Sequence, residues 1–386
     1  SPEFFKFIKW EPPFPAGKLN GNFHLEHVYP HEIEVAADAA YLNTTEKAGS
    51  LLGRLDAIKG KLHLKEGILR LDHTVFSTKV SSLLLDGSID LKQKMLGLDM
   101  QLDSNDLSDI VTPYYTRLSG PLTFKGKAKG PVHDPEIAGS IFAGPGSIHG
   151  LPFTRAAGDL VYKIKSLNVT RLNIANGSSS YDASGVIEFR NAEGLFSFKG
   201  PYYRARAVVR ESDIKPFITT LYRDIPVSGT VNGSVSFEGD AANFTSKSDF
   251  IVNDSIVYGQ ELDKVSGSMT VRPGDIEFHS LTAQRGGSSA DAKGKLLYDK
   301  RFEASVSSKK IDLTDINMFR GLPVNASTTM NMTGSGTVEK PDIKFSAGLT
   351  QVGGIIDRLC QQKVQQRRFA IRRETLDKLP VPARRN

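Results

Sequence analysis

Cysteine is all but missing from this 386-residue chain: the single thiol, Cys360, lies close to the C-terminal end. The first 350 residues therefore contain no disulfide framework and no thiolate metal or redox chemistry. Long apolar runs are missing too, so neither a membrane-spanning helix nor a secretory signal can be read. An export signal, if the protein carries one, is expected upstream of Ser1. Charge of one sign is also lacking over most of the chain. Residues 351–386 hold nine Lys/Arg against three Asp/Glu and so account for the whole net charge of +6, leaving residues 1–350 balanced at forty against forty. A balanced, interspersed surface has no stripe to track phosphates. No helix-turn-helix, zinc-finger or aromatic RNA-binding motif accompanies it, which argues against a nucleic-acid partner.

Catalytic and cofactor signatures are scarce. His24, His27 and His31 form the densest histidine group, with Glu26, Glu32 and Glu34 nearby. In an extended segment His24 would face away from His27 and His31, and Pro30 blocks a helical presentation, so incidental histidines are expected rather than a metal site. Asp106/Asp109 and Asp312/Asp315 read as helix-start residues rather than an acid–base pair, because the equivalent position after Asp213 is Pro216. Gly144-Pro145-Gly146, Gly286-Gly287 and Gly334-Ser335-Gly336 lack phosphate-loop spacing. Ser147 and Ser178–Ser180 have no His/Asp pattern to activate them. The expectation is a non-enzymatic protein with no metal and no cofactor.

What the chain does have is glycine, thirty-five residues, and proline, nineteen, separating short alternating runs. That composition favours many short strands and turns. Two glycines 27 residues apart recur three times without a gap, at Gly60/Gly87, Gly158/Gly185 and Gly267/Gly294. Within each block Leu69–Asp72 aligns with Leu167–Thr170 and Ile276–His279, and Ser81-Ser82 aligns with Ser179-Ser180 and Ser288-Ser289. A second motif recurs as Asp106–Ile110, Asp213–Phe217 and Asp312–Ile316, each expected to start a short helix capped by its aspartate. The implied organisation is a tandem array: the end of a preceding repeat over 1–16, repeats over 17–118, 119–226 and 227–323, the start of a fourth over 324–350, and an atypical basic tail over 351–386. The chain is expected to be a piece of something longer, because it starts and stops within a repeat.

Alternation with period two predicts an antiparallel sheet with one dry face and one wet face. The candidate dry set is Leu98, Met100, Leu102, Leu122, Phe124, Ile187, Phe189, Phe196, Phe198, Val235, Phe237, Phe302, Val306, Met330, Met332 and Phe345. Each could be a plain core residue. As a set they form a repeated stripe for which the few short helix candidates supply too little cover.

The order of these features also carries a resemblance. A short Asp-started helix is followed by a strand ending in Ser-Gly or similar, by a Gly-x-Leu-x-Phe-x-Gly-like strand, then by Gly130-Pro131-Val132-His133-Asp134-Pro135-Glu136-Ile137-Ala138-Gly139, and finally by the paired-glycine block. Gly336…Pro341-Asp342-Ile343 retains the same Gly…Pro-x-Ile spacing, while Gly239–Phe244 has lost the proline and one residue. Over about residues 15–350 the chain resembles the AsmA-like superfamily of Gram-negative envelope proteins, TamB-type members in particular. The family's N-terminal membrane anchor and the C-terminal domain of TamB-type members have no counterpart here. The resemblance implies an elongated antiparallel sheet curved into a taco-like apolar groove, held in the periplasm by a parent chain anchored in the inner membrane. It also implies phospholipid acyl chains as ligands, transport between inner and outer membranes, and an outer-membrane β-barrel partner for parts of the parent chain not present. A structural scaffold or assembly platform for outer-membrane β-proteins is the alternative. The basic tail would be a solvated extension or a segment drawn to an anionic surface.

Overall fold

The computed structural model describes residues 17–28, 32–43, 56–106, 118–148, 151–190, 200–221, 226–240, 242–322, 324–337 and 339–354. Phe196, Phe198, His31, the segment following Asp106, residues 1–16 and the tail beyond 354 lie outside them. The described residues form an all-β, antiparallel fold with very little helix, as the glycine-punctuated alternation predicts. The chain divides into two units, Ser1–Ala207 with Gly239–Ala241, and Val208–Glu238 with Ala242–Asn386.

The first unit opens with strands β1 (Gly17–Val28), β2 (Glu32–Asn43) and β3 (Ala57–Lys65). They continue as β4 (Ile68–Ser77), β5 (Ser81–Asp90) and β6 (Met95–Ser104). After β7 (Leu118–Ser119) come β8 (Leu122–Pro131), β9 (Glu136–Ala143), β10 (Gly146–Ile148) and β11 (Leu151–Phe153). Next are β12 (Arg155–Lys163), β13 (Ser166–Asn176), β14 (Ser179–Glu188) and β15 (Tyr202–Asp213), the last of which contains the division between the units. Strands β1 to β6, β8, β9 and β12 to β14 pair in chain order, each antiparallel to the next. The short strands β7, β10 and β11 make a separate three-stranded sheet.

In the second unit, helix α1 (Lys215–Leu221) leads to β16 (Val227–Gly239), β17 (Phe244–Val257) and β18 (Gln260–Arg272). Strands β19 (Asp275–Arg285), β20 (Ser288–Leu297), β21 (Arg301–Asp312), β22 (Val324–Thr337) and β23 (Lys340–Gly354) follow. Strands β17 to β23 again pair sequentially and antiparallel. Two-residue turns with positive φ at both positions, Glu66-Gly67 and Tyr258-Gly259, close the β3–β4 and β17–β18 hairpins, because that geometry matches the right-handed twist of paired strands.

The three glycine blocks share one register. Leu71 pairs with Gly87, Val169 with Gly185 and Phe278 with Gly294. Each central strand then carries an extra residue at the same place, so the pairing resumes at Thr74–Leu85, Leu172–Ala183 and Leu281–Ala292. The first-strand glycine lies against this β-bulge. A Cβ on Gly60 would come within 2.5 Å of the Thr74 Cα, one on Gly158 within 2.6 Å of the Arg171 carbonyl oxygen, and one on Gly267 within 2.4 Å of the Ser280 carbonyl oxygen. The 27-residue glycine spacing therefore records two close backbone approaches around a kink in the ladder that recurs in each block.

The aspartate-started segments differ from one another. After Asp213 a helix forms as expected, and the Asp213 carboxylate accepts a hydrogen bond from the Lys215 N–H at 2.9 Å. After Asp312 there are only two single 3-10 turns, Leu313–Asp315 and Asn317–Phe319, with no side-chain cap. The Asp312 carboxylate is occupied instead by the Ser327 hydroxyl and by Lys310 Nζ at 3.0 Å, so it is not free to hold a first helical turn.

Gly87 and Gly97 separate the effect of close approach from that of composition. Gly87 has φ 135°, and a Cβ there would sit 2.2 Å from the Gly97 carbonyl oxygen, whereas a Cβ on Gly97 meets nothing within 4 Å. Gly87→Ala is expected to destabilise the fold by about 2–4 kcal/mol. Gly97→Ala should change stability by less than about 1 kcal/mol. Urea unfolding followed by far-UV circular dichroism compares the two.

Candidate functional site: the uncovered apolar face

Residues directly opposite in an antiparallel pair project to the same side, so the registers define faces. In the first unit one row runs Ile58–Phe76–Leu83–Leu102–Phe124–Ile141 from β3 to β9. A parallel row runs Leu62–Leu71–Gly87–Leu98–Ala128–Ile137–Tyr162–Leu167–Ile187 from β3 to β14. In the second unit the corresponding row is Phe250–Gly267–Leu281–Ala292–Val306–Met332–Phe345, from β17 to β23.

Within each unit these rows gather the predicted dry set. Leu98, Met100, Leu102, Leu122 and Phe124 share one face of β6 and β8. Ile187 lies on that face of β14, and Phe189 sits two residues on, with its ring centroid 6.2 Å from that of Tyr162. In the second unit Phe302, Val306, Met330, Met332 and Phe345 share a face. Val235 and Phe237 have the parity of Gly233, which abuts the Phe250 backbone, and Phe237 stacks on Phe244 at 5.2 Å. Phe196 and Phe198 fall outside the described residues.

The rows are dry in composition without being sealed. Among the described residues only ten hydrophobic side chains are buried, four of them alanines. Phe124 is the one member of the predicted set among them; Leu98, Met100, Leu102, Ile187, Val235, Phe302, Val306 and Met332 are half-buried and Phe345 is exposed. One local cover exists in the first unit: Phe153 of β11 packs with Ala143 and Ala156 and is flanked by Leu122, Ile148 and Ile174. Closing over a phenylalanine in this way stabilises by about 2–3 kcal/mol.

Sequence reading missed Leu69, Leu71, Phe76, Leu83 and Phe278. The signal was present but broken, because the bulge in β4 puts Leu71 and Thr74 on the same face and so shifts the parity to Phe76.

The opposite face carries ladders of charge. Lys127 Nζ reaches Asp99 at 3.0 Å, and Glu136 is shared by Lys129 and Lys163 at 3.2 Å each. Asp159 accepts from the Ser140 hydroxyl at 2.7 Å and from Arg171 at 3.0 Å. The two lysines lower the Glu136 pKa, and the Ser140 hydroxyl followed by the Arg171 charge lowers that of Asp159. In the second unit the segment after Asp312 straps over the hairpin turn of β17–β18. Arg320 grips Glu261 through both nitrogens at 2.6 and 3.2 Å, the Asn317 amide donates to the Gly259 carbonyl at 2.5 Å, and Gln260 donates to the Asp315 carbonyl at 3.0 Å.

His24 and His27 lie in β1 at opposite parity. Among the described residues no helix is long and apolar enough to cross a membrane. The chain matches no protein-family description, no curated protein and no solved structure.

The strap generates a pH prediction. Arg320, then Arg285, hold the Glu261 carboxyl below its ordinary value of 4.5. The stabilisation is therefore present above 4.5 and is lost as pH falls through the lowered value. Glu261→Gln should speed hydrogen exchange of the strap amides near neutral pH and remove the acid-dependent loosening seen in the parent chain. Mass-spectrometric exchange over residues 313–322, corrected for intrinsic rate, reads this out.

Proposed function

We propose that the protein binds the acyl chains of phospholipids along its apolar faces and acts as a non-enzymatic, bridge-like lipid carrier. The observation that carries this reading is a wide, half-buried apolar row in each unit that little of the described chain covers. A sheet face of this kind needs a second layer or a ligand. Taking an acyl chain out of a bilayer costs about 0.8 kcal/mol per methylene, so a sixteen-carbon tail needs roughly 13 kcal/mol returned. A row that continues from strand to strand returns that energy at each position and lets the tail slide. The resemblance to AsmA-like proteins adds the setting: the periplasm, an inner-membrane anchor on the parent chain, transport to the outer membrane, and outer-membrane biogenesis.

One observation favours the scaffold reading. Among the described residues β23 pairs only with β22, and it exposes Ile343, Phe345 and Leu349. Such an edge can accept a further strand from a client protein.

Lipid extracted from the purified chain and identified by mass spectrometry tests the proposal directly. Phe237→Glu and Met332→Glu should each cut lipid loading by roughly ten-fold or more while far-UV circular dichroism is retained, because an open face can hydrate a charge. Loss of β-signal together with loss of lipid would mean a sealed core and would remove the case for a carrier. A lipid-free chain that still captures an extended β-strand peptide would favour the scaffold.

A further inference from the structure

The strap after Asp312 sorts its apolar side chains into two sets. Single 3-10 turns stack residues three apart, so Leu313, Ile316 and Phe319 lie half-buried while Met318 and Leu322 are left exposed. Met318 is 81% exposed, Tyr258 at the clasped turn 73% and Leu322 53%, the three highest values for large apolar side chains among the described residues. All three belong to one end of the second unit, because Asn317 and Arg320 hold the strap on Gly259 and Glu261 of that hairpin.

A surface connection ordinarily leaves its backbone to water, and this one does not. The N–H groups of Ile316, Phe319, Arg320 and Leu322 donate to the carbonyls three residues before them. The Asn317 N–H donates to Gln260 Oε1 at 3.0 Å, and the Tyr258 N–H donates to the Pro226 carbonyl at 3.0 Å. The Gly259 and Asp315 carbonyls accept from the Asn317 and Gln260 side chains. Backbone groups satisfied within the protein can enter an apolar phase, where unsatisfied ones are costly. The same bonding occupies the groups that an added strand would need.

Charge at this end has a matching arrangement. The acidic groups that the strap carries or touches are each held by a donor of the protein. Lys310 and the Ser327 hydroxyl hold Asp312, the Ser288 hydroxyl donates to Asp315 at 2.6 Å, and Arg320 and Arg285 hold Glu261. Lys309 is exposed and lies outside any ion pair among the described residues, and the Arg320 side chain is 54% exposed.

We propose that this end of the second unit docks on the surface of a phospholipid bilayer carrying anionic headgroups. Met318, Leu322 and Tyr258 enter the interface, and Lys309 and Arg320 meet headgroup phosphates. Tyrosine suits that level because its ring is apolar and its hydroxyl is wet. Cations beside an apolar contact add attraction to an anionic surface. The strap end does this docking, whereas the apolar rows would do the carrying, so the inference stands apart from the carrier reading.

The test is flotation of the full chain with vesicles of phosphatidylcholine and phosphatidylglycerol. Met318→Ser combined with Leu322→Ser should cut the vesicle-bound fraction by roughly ten-fold or more. Tyr258→Asn, which keeps a residue tolerant of the positive φ there, should also weaken binding. Leu91→Ser, at an equally exposed turn of the first unit, should leave binding unchanged. Because all four side chains are exposed, each variant should fold as judged by circular dichroism. Met318→Trp in a Trp10→Phe background should shift its fluorescence to shorter wavelength when vesicles are added. Failure of the parent chain to float, a double variant that floats as the parent does, an equal loss in Leu91→Ser, or an unshifted tryptophan would each overturn the inference. Docking by a chain that yields no extractable lipid would support it and count against the carrier, so the two readings fail separately.

Discussion

One extra residue in the middle strand of each glycine block sets the terms for the rest of the sheet. In β4 the residue after Leu71 would, by strict alternation, restore polar parity and leave Thr74 and Phe76 on the wet side. The bulge at Asp72-His73 absorbs a position, so Leu69, Leu71, Thr74 and Phe76 stay on one face while β3 and β5 run straight on either side. The flanking strands must then approach the kinked backbone closely, and that approach excludes a Cβ at Gly60 and at Gly87. The apolar rows, the glycine pairs and the polar ladders are thus one solution to one register problem, reached again in β13 and β19.

A face built this way is left in an unusual energetic state. Ordinary domains close such a face with a second sheet or with helices, and here the small β7–β10–β11 sheet does so only around Ala143 and Ala156. Elsewhere Leu98, Met100, Leu102, Val306 and Met332 remain half-buried, while Leu71, Phe124, Val252, Val271 and Ile276 are buried. The wet face compensates by fixing register: a one-residue slip would place Phe124 where Lys125 stands and would separate Lys127 from Asp99. Charged ladders and the bulges together keep the apolar rows aligned, with little cover among the described residues to template them.

Most of this organisation was legible in the sequence, and what was hidden was hidden for local reasons. The paired glycines marked the blocks because a steric exclusion leaves the same residue type at the same spacing each time. Alternation marked Leu98 through Phe124 because β6 and β8 contain no bulge. It missed Phe76 and Phe278 because a parity change inside a strand looks like the end of a strand. The segment after Asp312 was misread as a helix because its aspartate, equivalent in sequence to the capping Asp213, is claimed by Ser327 and Lys310 on the adjoining strands. Asp72, His73 and Asp86 could not be grouped from sequence at all, since it is the register that folds a residue thirteen positions away back onto the bulge.

The connections between strands explain how the hairpin end of the second unit is held firm. The Tyr258-Gly259 turn is clasped from two directions: the Tyr258 N–H donates to the Pro226 carbonyl beyond α1, and the strap after Asp312 takes Gly259, Gln260 and Glu261. One connection is helical and the other a pair of 3-10 turns, yet both spend their polar groups on the same hairpin end. Clasping at the turn restrains the strands, while Val306 and Met332 remain half-buried. The strap instead leaves Met318 and Leu322 exposed beside its ion pairs. Restraint applied at the strand ends keeps the rows in register through the backbone ladder rather than through a packed side-chain layer among the described residues.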